Sequence, residues 1–181
     1  MISCPNCGAS DETDEATLSG TFGPEAQHSW SMQLLIAALQ KALDLGRFAD
    51  ADRILWRASA LLQERIASGG TIQAAQMVPL ADAAARLCVE TRDPSWGVWI
   101  PTLYMQARAT PPAAVVERLI LLRPLHGEMQ AAIEHLLAYC RDMAPPPSSE
   151  DRDALQRLAR THRGTHEGSS DRPSAGHIHC D

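Results

Sequence analysis

Cys4 and Cys7, in Met1-Ile2-Ser3-Cys4-Pro5-Asn6-Cys7-Gly8, are the residues of this 181-residue chain best placed by type and spacing to do chemistry. A Cys-x-x-Cys turn lets two thiolates grip one ion, and a closed tetrahedral zinc site takes four such ligands. The chain holds no second Cys-x-x-Cys. Three completions stand open. The chain end could return His177, His179 or Cys180 to the same ion, two chains could share one zinc, or the pair could bind nothing firmly. A thioredoxin-like redox reading needs a strand ahead of the motif, and only Met1, Ile2 and Ser3 precede it. His177-Ile178-His179-Cys180 has the residue types of a metal-grabbing tail, against the plainer reading of a polar chain end with scattered histidines.

Other candidates are weaker. Trp96, Trp99 and Tyr104 could line a peptide groove, but at helical spacing such residues belong to the core. Glu134-His135, and His126 with Glu128, hold acid–base residue types without forming His-Glu-x-x-His, and exposed helix pairs account for them. No Gly-x-Gly-x-x-Gly, phosphate loop or Gly-x-Ser-x-Gly occurs. The expectation is a chain without enzymatic activity. Cys4-Pro5-Asn6-Cys7-Gly8 resembles the first knuckle of a bacterial zinc ribbon, and that resemblance implies zinc as the ion Cys4 and Cys7 would hold.

The elements around these residues are helical by composition. Hydrophobic residues make up 45% of the chain and aromatics only 4%, with Ala and Leu abundant, which favours helix over strand. Ser29 can cap a first helix with Trp30, Leu34, Ala37, Ala38 and Leu45 as its inner face, ending at Gly46. A second follows at once, with Phe48, Ala51, Ile54, Leu55, Ala58, Leu61, Leu62 and Ile66 on one face. A third, from Thr71 or Pro79 to about Thr91, turns Ala81, Ala84, Ala85, Leu87 and Cys88 inward. Asp93-Pro94 signals the start of a fourth, in which Pro101 predicts a kink or a later start. A fifth buries Val115, Val116, Leu119 and Leu122, and a sixth Met129, Ala132, Ile133, Leu136, Leu137 and Cys140. Pro145-Pro146-Pro147 ends the pattern, and residues 149–161 have the makings of a short, mostly polar helix.

Short connections predict an all-α array of about six helices in three antiparallel hairpins. The turns repeat, with Trp96 standing 48 residues after Phe48. Ala42 to Ala51, Ala-Leu-Asp-Leu-Gly-Arg-Phe-Ala-Asp-Ala, resembles a tetratricopeptide unit over about one repeat. Residues 37–143 are similar to the helical region that accompanies forkhead-associated domains in some bacterial signalling proteins, with no β-rich stretch to build such a domain here. These resemblances imply a small superhelical stack that binds a protein partner and catalyses nothing.

The net charge of −6 is unevenly placed: residues 1–29 carry five acids and no base, while residues 30–143 carry eleven of each. No basic stripe exists to attract nucleic acid or an anionic membrane. The odd count of five cysteines suits a reducing compartment, and no signal peptide or spanning segment is visible, so a cytoplasmic protein is expected. The expected organisation is a flexible acidic arm with the Cys pair over 1–29, a helical repeat domain over 30–143, and a Pro-rich break with a mostly disordered tail over 144–181. The function expected is a protein-interaction or scaffold module; the alternative is a zinc- or redox-responsive regulator working through Cys4 and Cys7.

Overall fold

The computed structural model describes residues 24–122, 127–142 and 148–163, which form seven α-helices and, among the described residues, no strand. They are α1 Pro24–Asp44, α2 Phe48–Ala67, α3 Ala74–Thr91, α4 Pro94–Gln106, α5 Ala113–Leu122, α6 Met129–Asp142 and α7 Ser149–Arg163. The chain divides between Ser31 and Met32 into two compact units. Of the first, the described part is the opening of α1; the packing below belongs to the second.

Helix ends follow local chemistry. Gly46, at φ 66°, closes α1: its N–H donates to the Leu43 carbonyl and that of Arg47 to Ala42, which satisfies two end carbonyls. Gly69, at φ 77°, closes α2 in the same way. Arg92 and Arg108 take the same left-handed conformation without the freedom of glycine, at φ 58° and 51°. Asp93 caps α4 as expected, accepting the Ser95 N–H at 2.9 Å, with Pro94 in the first turn. α3 and α4 start at Ala74 and Pro94 and run through Pro79 and Pro101, which settles where each begins.

Two expectations are corrected. First, α1 starts at Pro24, where the fixed proline φ suits a first helical position, and not at Trp30. Its buried side is Met32, Leu39, Ala42 and Leu43, with Leu35 and Ile36 beside them. The expected stripe of Trp30, Leu34, Ala37, Ala38 and Leu45 faces solvent. The helix is apolar on two opposite sides, so periodicity alone cannot choose between them.

Second, the described residues form seven helices, not about six. α7 lies within the stretch assigned to a break and tail, yet buries Ala154, Leu155 and Leu158. The expected pairing of the fifth and sixth helices changes with it: the most extensive contact of α5 is with α7. Of the other expected core residues, Ala51, Leu55, Ala58 and Leu62 on α2, Ala84, Leu87 and Cys88 on α3, and Val116 and Leu119 on α5 are buried, while Phe48, Ile54, Leu61, Ile66, Ala132 and Leu137 are half-buried.

The packing falls into two rows. α3 touches α5 and α5 touches α7; α4 touches α6. The Asp44–Arg86 pair joins α1 to α3, and the contact of Trp56 with Trp96 joins α2 to α4. Odd helices therefore neighbour odd helices and even neighbour even, with α2·α3, α3·α4 and α6·α7 tying the rows together. Gly97 sits where three helices converge: a Cβ there would meet Met129 Sδ of α6 at 2.6 Å and Cys88 Sγ of α3 at 3.1 Å.

Candidate functional site

The odd row carries a repeated charge bond. Both terminal nitrogens of Arg86 on α3 donate to Asp44 Oδ1 on α1 at 3.2 Å. Arg118 Nε on α5 donates to Asp82 Oδ1 on α3 at 2.9 Å. Arg157 Nε on α7 donates to Glu117 Oε1 on α5 at 3.0 Å. Each odd helix offers a carboxylate to an arginine on the next. All three pairs are partly exposed, so each contributes at most about 1 kcal/mol.

Beside this ladder an open groove of about 230 Å³ runs between α3 and α5. Ala85, Val89 and Leu122 line it with Leu121, which is 65% exposed, and Arg86, Glu90 and Arg118 form its rim. The floor is apolar because the same turns of α3 and α5 that bury Ala85 and Leu122 also carry Val89 and Leu121 around to solvent. A groove with an apolar floor and a charged rim suits one or two side chains of another protein. It brings together no nucleophile, base and orienting group of the kind that acid–base or covalent chemistry requires.

The even row shows a cluster of three tryptophans. Trp96 on α4 lies with its ring centre 5.0 Å from Trp56 of α2 and 5.6 Å from Trp99, the latter edge to face. Trp96 is buried, and its Nε1–H donates to Asp52 Oδ1 of α2 at 2.7 Å. Tyr104 is buried too, and burial drives the pKa of its phenol up. Trp96 and Tyr104 are thus core, while Trp99 is half-buried. Trp56 is 60% exposed.

Cys4, Cys7, His177, His179 and Cys180 all lie outside the described residues. Among the described residues no three His, Cys, Asp or Glu side chains gather as a metal would require. Cys88 and Cys140 are free and buried; burial raises both thiols, Cys140 to about 11, so neither is a ready thiolate. Glu134 Oε1 lies 2.9 Å from Nε2 of the buried His162 on α7, a contact between α6 and α7. Glu128 is exposed, and His126 is outside the described residues. No described helix is long and apolar enough to cross a membrane.

The ladder, the groove and Trp56 are what the sequence reading missed. Asp82 and Arg86, four apart on the outer side of α3, were a usable signal once their phase against Ala81, Ala84 and Leu87 was drawn. Trp56 on the polar side of α2 was another. No protein-family model matches this chain, and neither a curated protein nor a solved structure does.

Proposed function

We propose that this chain is a non-enzymatic protein-interaction module, a tetratricopeptide-like superhelical stack working as a scaffold in bacterial signalling. The observation that carries the reading is the groove between α3 and α5, with Val89 and Leu121 turned to solvent over an apolar floor. The odd row of α3, α5 and α7 supports it, because helices stacked side by side present extended faces that suit protein partners. The signalling setting rests on the resemblance of residues 37–143 alone.

A peptide-library selection on the purified chain tests this. Bound peptides should shift the NMR signals of Val89, Leu121 and Leu122, and Leu121→Asp should weaken them at least tenfold while leaving the fold intact. The reading fails if selected peptides bind Leu121→Asp and Val89→Asp as well as wild type. It also fails if the purified chain turns over a substrate and a point change in the helical region abolishes that turnover.

A further inference from the structure

The groove between α3 and α5 has two unlike ends. At one, Arg118 Nε donates to Asp82 Oδ1, and among the described residues nothing accepts from its two terminal nitrogens. The Arg118 side chain is 52% exposed, so those nitrogens stand open to a ligand. Arg86 differs, because both its terminal nitrogens are engaged by Asp44. At the other end Glu90 is exposed and bonds to no described residue. Between them Val89, 48% exposed, and Leu121 rise from the apolar floor.

Glu90 also stands where the chain alone gains nothing from an acid. It is the last residue but one of α3, where the helix dipole is negative and favours a cation, and the last turn of α3 holds no basic residue. Arg92, just past the helix end, does not line the groove. A cation brought by a partner would neutralise Glu90, as an acid would take the open donors of Arg118.

The separation of the two ends specifies more. Residues 82 and 90 lie about 12 Å apart along α3, or roughly two helical turns. A partner helix laid along the groove would meet Arg118 and Glu90 with residues about seven or eight positions apart. The side chain about three or four positions from the first then points at the apolar floor. A volume of about 230 Å³ suits one aliphatic side chain or two.

We propose that this groove takes an amphipathic helix of another protein, with an acid over Arg118, an aliphatic side chain over Val89 and Leu121, and a base over Glu90. The inference rests on the reading of the groove as the partner site and adds the chemistry of the partner.

Sequencing the peptides selected on the purified full chain, then titrating one of them, tests it. The selected peptides should share the acid–aliphatic–base pattern at helical spacing, and their affinity should fall in high salt. Glu90→Lys should weaken the chosen peptide about fivefold or more, and the same peptide with its base changed to an acid should regain binding to that variant. The free Glu90→Lys chain should melt no lower than wild type, because a cation suits that helix end. Arg118→Gln should weaken the same peptide several-fold. Peptides that lose binding to Leu121→Asp, yet share no charge pattern and bind Glu90→Lys as well as wild type, overturn this inference and leave the groove reading standing. If no peptide is selected, or those selected bind Leu121→Asp as tightly as wild type, the groove reading fails and this inference with it. NMR signals of Val89 and Leu121 that shift with the concentration of the chain alone would make the occupant a second copy and overturn the inference as well.

Discussion

α1 and α7, the first and last described helices, meet solvent in opposite ways. α7 spends one narrow stripe, Ala154, Leu155, Leu158 and His162, on the core, and its exposed positions include Glu150, Arg152, Asp153, Arg157 and Arg160. α1 spends an equivalent stripe inward and shows a second apolar stripe outward. The outer side of α7 is charged and that of α1 is largely apolar, and this is the difference between them.

The sharpest way to break the comparison is to shorten a leucine on each face. Leu158→Ala on α7 and Leu39→Ala on the inner side of α1 each remove a fully buried side chain and should cost about 2–5 kcal/mol by denaturant unfolding. Leu34→Ala, on the outer side of α1, should stay within about 0.5 kcal/mol for the single chain. Equal losses for Leu34→Ala and Leu39→Ala would erase the distinction between the two faces.

Alkaline pH probes the burial of α6. Cys140 keeps its proton in the folded chain up to about 11, against 9.0 ordinarily, because burial disfavours the thiolate. Its contribution is therefore complete below pH 9 and is lost as pH rises toward 11, at up to about 1.4 kcal/mol per pH unit. Cys88, Tyr104 and Tyr139 are raised by burial in the same direction. Thermal melts from pH 8 to 11 should fall steeply, and Cys140→Ala should lessen the fall; parallel curves for the two proteins would contradict the assignment.

Asp151 ties α7 to α5. Its Oδ2 accepts from Ser148 Oγ at 2.7 Å, and its Oδ1 accepts the N–H of Ala113, the first residue of α5, at 2.8 Å. One side chain thus serves the starts of two helices. Asp151→Ala should cost about 1–2 kcal/mol, and hydrogen exchange should quicken in the first turn of both α5 and α7. Quickening in α7 alone would separate the two ends it is said to join.

The smallest effect is expected for Arg157→Ala. It removes the last bond of the ladder, at a half-exposed pair, and should cost well under about 1 kcal/mol and less still in high salt.

This contrast also marks how far residue pattern reaches. On α2, α3, α5 and α6 most of the buried residues were readable from their spacing, although Trp56, Val89 and Leu121 add apolar side chains on the exposed sides. α1 offers two, and its own residues cannot reveal which of them the rest of the fold covers. α7 has the reverse difficulty: three apolar residues among charges look too few for a core helix, and only the waiting surface of α5 makes them enough. The groove was harder still. Val89 and Leu121 lie on separate helices, and only the packing of α3 on α5 makes them neighbours of Arg86 and Arg118. The cysteine pair that dominates the sequence lies outside the described residues.

Thiol labelling of Leu34→Cys, Leu39→Cys and Leu158→Cys in the folded chain, read by peptide mass spectrometry, tests the contrast between the two faces most directly. The account predicts fast labelling at Leu34→Cys, on the exposed side of α1, and labelling of the other two only as fast as the chain unfolds. Equal rates for Leu34→Cys and Leu39→Cys would contradict it.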